Sequence, residues 1–127
     1  DVYKRQVQEA VADYLSTGAL RRRTQRMRQV YRRRRHTVID ILGSVPGATL
    51  QPIDGGLHAV LLFDGSEEDV VRQCRHEGVG VTPLSTYWGS ADADAAGIVL
   101  GFGSHDDDTL AMALTTIARV VADRTGP

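Results

Sequence analysis

An α+β fold is predicted: a small antiparallel or mixed sheet with helices packed on one face, preceded by a long leading helix. Three observations predict it. Apolar residues recur at helical spacing near both ends of the chain. Short runs rich in branched residues lie between those stripes. Glycine, aspartate and proline clusters punctuate the runs, giving the order α-α-β-β-α-β-β-α and hence a layered α+β arrangement. At 127 residues the chain has the length of one domain.

The first helix is predicted over residues 2–16, with Val7, Val11, Tyr14 and Leu15 at helical intervals. Gly18 is its expected stop. A longer helix should follow over residues 20–42, carrying a narrow apolar stripe of Leu20, Met27, Val30, Tyr31, Val38, Ile41 and Leu42 on an otherwise basic rod. Gly43 to Gly47, with Pro46 inside, breaks it. Residues 48–53 and 57–63 read as two strands, and Asp54, Gly55 and Gly56 between them suit a hairpin turn. Asp64 and Gly65 end the second strand. Ser66 can cap the next helix, whose first turn holds Glu67, Glu68 and Asp69 and so complements the helix dipole. Val70, Val71 and Cys74 form its apolar face, and Gly78 closes it. Residues 79–82 and 97–102 are the remaining strands, separated by a polar loop that includes residues 90–96. Ser104, with Asp106, Asp107 and Asp108, opens the last helix, whose stripe is Leu110, Leu114, Ile117 and Val121.

Composition narrows the function classes. Apolar content of 42% and charged content of 24% are ordinary for a globular protein. Cys74, the single cysteine, has no internal disulfide partner, so a reducing cytoplasm is expected. No apolar run reaches the span of about 20 residues that a membrane helix needs, and no membrane partner is expected. The net charge of -1 conceals a split. Residues 1–35 carry 11 Lys/Arg against 3 Asp/Glu, and residues 36–127 carry 4 against 13. That asymmetry suits either a nucleic-acid-binding arm or segments built for different neighbours.

The run Arg26-Met27-Arg28-Gln29-Val30-Tyr31-Arg32-Arg33-Arg34-Arg35 resembles one near the C-terminus of MocR-type regulators, a branch of the GntR family. The resemblance continues through Gly55-Gly56-Leu57-His58, through Gly78-Val79-Gly80-Val81-Thr82-Pro83-Leu84-Ser85, and through Gly97-Ile98-Val99-Leu100-Gly101-Phe102. It covers residues 7–123. Residues 1–6 do not share it. The resemblance implies a single domain over residues 1–127, with leading helices to residue 43 and the sheet and its helices over residues 44–127. That domain is the C-terminal small domain of a fold-type-I, aminotransferase class I/II-like protein that uses pyridoxal 5'-phosphate (PLP). Implied too are a large PLP-binding part and a winged helix-turn-helix in the same longer chain, a homodimer, and an effector that is PLP or a small amino compound. The expected role is effector sensing coupled to DNA binding.

PLP chemistry of this class uses a lysine for the Schiff base. Lys4 is the only lysine, has no glycine-rich phosphate cradle near it, and reads as a surface residue. This chain alone is therefore expected to hold no cofactor and to be non-catalytic. Related aminotransferases grip the substrate carboxylate with a small-domain arginine, whose planar fork suits the task. The resemblance maps that position to Val99, which cannot bind a carboxylate. This departure favours a sensor over the enzyme alternative, the small domain of a genuine class I/II aminotransferase. Ordinary core placement of Val99 gives the same conclusion.

Pro83, Ser85, Thr86 and Tyr87 form the best candidate surface for the effector cleft, since a rigid proline precedes three hydroxyls. An ordinary loop is the rival reading. Gly55 and Gly56 suit a turn, and His58 a strand. Nine arginines in residues 21–35 admit a stand-alone nucleic-acid-binding reading. A solvated basic face, or one paired with acidic surface, is preferred because Met27, Val30 and Val38 turn one side toward protein. His36, His58, His76, His105 and Cys74 lack metal-ligand spacing, so no metal is expected.

Overall fold

The computed structural model describes Arg5, Gln6, Gln8, Glu9, residues 18–88 and residues 96–125. The chain divides into two compact units, Asp1–Arg33 and Arg34–Pro127.

In the first unit, Arg5, Gln6, Gln8 and Glu9 have helical backbone. Lys4 and the expected stripe of Val7, Val11, Tyr14 and Leu15 lie outside the described residues. Helix α1 spans Ala19–Leu42. Its opening follows Gly18, and the Arg22 N–H donates to the Gly18 carbonyl at 3.0 Å. Residues 21–29 are all exposed, while Val30 and Tyr31 are half-buried.

The second unit contains the rest of α1 and every later element. Strand β1 is Ala48–Leu50, β2 His58–Phe63, helix α2 Glu67–His76, strand β3 Thr82–Pro83, helix α3 Ser85–Trp88, strand β4 Ala96–Gly101 and helix α4 Asp107–Thr125. The four strands form one antiparallel sheet in the order β1-β2-β4-β3. This is the expected α+β class, with the sheet antiparallel rather than mixed.

The core explains the layering. Ala59, Leu61 and Phe63 of β2 alternate with half-buried Val60 and Leu62, as a strand with one face against helices should. They cluster with Ile98 and Leu100 of β4 and the following Phe102. The same cluster takes Val38 and Leu42 from α1, Val70, Val71 and Cys74 from α2, and Leu110, Leu114, Ile117, Val120 and Val121 from α4. All three long helices therefore bury their apolar residues against one face of the sheet. Burial pushes the Cys74 thiol up to about 11, with the nearby Glu77 carboxylate adding to the rise. The thiol is held in its neutral form.

Several boundaries moved for identifiable reasons. Residues 48–53 do not all pair. The ladder stops at Leu50, followed by one bond from the Gln51 N–H to the Val60 carbonyl at 2.9 Å. Pro52 has no N–H with which to extend it. The hairpin is nevertheless present, and Gly55 adopts φ +75° in its connection, a conformation glycine reaches without a Cβ penalty. The third strand is Thr82–Pro83 instead of residues 79–82, because Val79 and Val81 pack onto the core without joining the ladder. Within the predicted opening of Ser104 with Asp106, Asp107 and Asp108, Asp106 caps the final helix: the Thr109 N–H donates to Asp106 Oδ1 at 2.7 Å. That bond, reinforced by the Thr109 side chain, holds the Asp106 carboxyl below its usual range. Ser66 caps α2 as expected, accepting from the Asp69 N–H at 3.2 Å. The polar loop assigned to residues 90–96 lies outside the described residues, apart from Ala96.

Arg34 shows how one member of the arginine run becomes structural. Its Nη1 donates to the Gly103 carbonyl at 2.7 Å, and its Nε to Asp107 Oδ1 at 3.4 Å. The side chain thereby ties α1 to the start of α4, where negative charge also favours the helix dipole.

Candidate functional site

Of the candidate residues, Val99 lies on the sheet face opposite the core helices, whereas Pro83 pairs with Ile98 of the helix-side core. Register pairs share a face, so Val60 of β2, Val99 of β4 and Thr82 of β3 lie side by side across three strands. Leu62 pairs with Gly97 in the next row. Val60 and Leu62 are half-buried, whereas Val99 retains 8% exposure. Val99 and Leu84 are buried but stand outside the helix-side core cluster. Among the described residues a second apolar row thus lies outside the helix-side core cluster.

The segment that follows β3 borders this row. Pro83 pairs with Ile98, and the Leu84 N–H donates to the Gly97 carbonyl at 2.9 Å. The chain then turns through α3, a single helical turn where a loop was expected. Ser85, Thr86 and Tyr87 are all exposed, Tyr87 at 64%. Candidates separated by a dozen or more residues in sequence therefore meet at adjoining strands: Pro83, Ser85, Thr86 and Tyr87 on the rim, Val99 in the row beside Thr82.

Two features hold this rim in place. Gly97 leaves room for a close approach: a Cβ there would lie 2.8 Å from the Leu61 carbonyl oxygen and 3.1 Å from a methyl of both Leu62 and Leu84. Glu67 is the second. Its carboxylate accepts from the Gly97 N–H at 3.1 Å and, through its other oxygen, from the Ser85 N–H at 3.4 Å. Sequence reasoning assigned Glu67 only to the helix dipole. Its partners lie 18 and 30 residues away, and nothing local marks it as a clamp. Replacing Glu67 by alanine should cost about 1–3 kcal/mol, the penalty of amides left without an acceptor. Amide hydrogen exchange should accelerate at both Gly97 and Ser85, and Glu67→Gln should restore part of the protection. Unchanged exchange at both amides would rule out the clamp.

A groove of about 330 Å³ lies elsewhere, lined by Gln73, Arg119, Val120, Asp123 and Arg124 along α2 and α4. Its polar groups already serve one another. Arg119 pairs with Glu77, Arg124 reaches Gln73 at 3.4 Å and Asp69 at 3.9 Å. The Gln73 side chain, and then Arg119, hold the Glu77 carboxyl below its ordinary range. This groove is a helix-packing seam rather than a ligand cleft.

No lysine is among the described residues, since Lys4 lies outside them. Among the described residues, no group of three or more His, Cys, Asp or Glu side chains is placed to hold a metal ion. No described helix is long and apolar enough to cross a membrane. Gly55, Gly56 and His58 are exposed at the hairpin and the first position of β2.

No protein-family model matches the chain. It is 55% identical, over 115 residues, to the HTH-type pyridoxine biosynthesis transcriptional regulator PdxR of Corynebacterium glutamicum, a match covering 91% of this chain and 25% of that protein. It is 26% identical over 111 residues to the uncharacterized HTH-type transcriptional regulator YhdI of Bacillus subtilis, covering 84% and 24% respectively. The chain therefore spans about a quarter of the length of these curated relatives. Among solved structures, it is similar to LysN, the alpha-aminoadipate aminotransferase of Thermus thermophilus, with a TM-score of 0.73 at 20% identity, over 89% of this chain and 30% of the other. The Pyrococcus horikoshii kynurenine aminotransferase, solved with PMP, gives a TM-score of 0.71 at 18% identity, over 87% and 28%.

Proposed function

We propose that this chain, 55% identical to part of an HTH-type transcriptional regulator, is the small, aminotransferase-like domain of the effector-sensing part of a MocR/GntR-type regulator. In this reading the larger part of the protein holds PLP on a lysine of its own, and PLP or a small amino compound is the effector. A winged helix-turn-helix outside this chain reads DNA, and the complete protein is a homodimer. PLP, where bound, supplies an aldehyde that captures amines. This chain supplies a wall of the cleft. Ser85, Thr86 and Tyr87 offer hydroxyls to the effector, Pro83 stiffens their approach, and Val99 presents an apolar floor.

The observation that carries the reading is the pairing of Thr82 with Val99, which sets the start of the hydroxyl-bearing segment beside an apolar sheet row outside the helix-side core cluster. Val99 also separates sensing from transamination. A valine cannot form the bidentate pair that fixes a substrate carboxylate, so binding without turnover is the expected outcome.

The test uses the complete regulator. Effectors in coupled systems change affinity by roughly 5–150-fold. In the Ser85→Ala, Thr86→Ala, Tyr87→Phe triple variant, the effector-dependent change in operator affinity should collapse toward unity. PLP absorbance should persist. A variant that retains the full effector response would remove this rim from the sensing cleft.

A further inference from the structure

We propose that the exposed arginine face of α1 is a contact surface for the phosphate backbone of duplex DNA, independent of sequence. Arg21, Arg22, Arg26, Arg28 and Arg32 are all exposed and form no ion pair among the described residues. At about 100° per residue, Arg21, Arg28 and Arg32 fall within roughly 40° of one another, and Arg22 and Arg26 share the adjoining flank. Met27 and Tyr31 take the remaining side. Arg21, Arg22, Arg26, Arg28 and Arg32 thus share a little under half of the helix circumference, with Arg23 beyond that arc.

Two features distinguish this surface from an ordinary solvated helix face. From Ala19 to Ile39 the helix has no acidic residue, so Arg22 with Arg26, and Arg28 with Arg32, meet as like charges one turn apart. Its first turn has no acidic residue, and basic side chains stand where the helix dipole disfavours them. A helix under such self-repulsion gains from an external polyanion. α2 makes the contrast: Glu67, Glu68 and Asp69 open it and Arg75 closes it, so its charges complement the helix dipole.

Geometry favours nucleic acid. From Arg21 to Arg32 the helix rises about 17 Å, a length over which duplex DNA presents about ten charges. Every cation here is arginine, whose fork matches phosphate oxygens. Gln25 and Gln29, both exposed between them, add neutral donors. The choice of DNA over an acidic protein rests on the regulator reading above.

The experiment titrates the 127-residue chain with a duplex of about 25 bp and arbitrary sequence, followed by fluorescence anisotropy between about 50 and 200 mM salt. Five phosphate contacts predict a slope of log K against log salt of about -4.5, and R21Q/R22Q/R28Q/R32Q should flatten it toward about -1. Gln keeps helix propensity near that of Arg, and circular dichroism checks that the variant stays folded. Wild-type slope in the folded variant overturns the proposal. So does absence of binding at about 50 mM salt. Poly-L-glutamate binding as tightly as DNA at equal charge would also overturn it, in favour of an acidic protein partner. The sensing rim is tested through Ser85, Thr86 and Tyr87, so either reading can fail while the other stands.

Discussion

Phe102→Ala is expected to destabilise the chain by about 3–5 kcal/mol, the range for emptying a buried aromatic site. Phe102 is the largest of the fully buried side chains among the described residues. Its own N–H is engaged with the Leu57 carbonyl at 2.9 Å, so the backbone there cannot readily collapse into the space. Typical domains have about 5–15 kcal/mol of total stability. The loss should therefore shift the urea midpoint far toward zero, or abolish the transition. Met112 provides the control, because it is 73% exposed on α4. Met112→Ala should move stability by less than about 0.5 kcal/mol. Equal midpoints for the two variants would contradict the assigned core.

Gly97→Ala should be nearly as harmful for the opposite reason. The added methyl meets a backbone oxygen, Leu61 O, at 2.8 Å, and that oxygen belongs to a strand held in register on both sides. Overpacking of this kind costs about 1–3 kcal/mol. The damage should also be local. Leu84 packs over Gly97 and donates its N–H to the Gly97 carbonyl, so the Leu84 amide should exchange faster in the variant. A wild-type urea midpoint together with wild-type exchange at Leu84 would show that the strands separate without cost.

The parts of the fold that were legible in the sequence are those set by neighbours within one or two turns. The stripe Leu110, Leu114, Ile117 and Val121 announced α4, and all four are buried. Ser66 with its acidic first turn announced the start of α2. The hairpin turn was visible at Asp54 and Gly55. What escaped depended on distance. Thr82 and Pro83 form β3 by pairing with Val99 and Ile98 of β4. Arg34 looked like any other member of a basic run until Gly103 and Asp107, about 70 residues on, came within its reach.

The candidate site divides the same way. Hydroxyls after Pro83 could be read directly, and Val99 was singled out by resemblance alone. Their adjacency came from strand order: β4 lies between β2 and β3. Glu67 had no signature beyond its place in a helix's first turn.

That glutamate gives α2 a mechanical character. One end of the helix grips the rim through Gly97 and Ser85, and the other ends at Glu77, which is bonded to Arg119 of α4. A ten-residue rod with a carboxylate latch at each end transmits displacement rather than absorbing it. The Ser85 backbone and Arg119 of α4 are thus tied to opposite ends of the same helix.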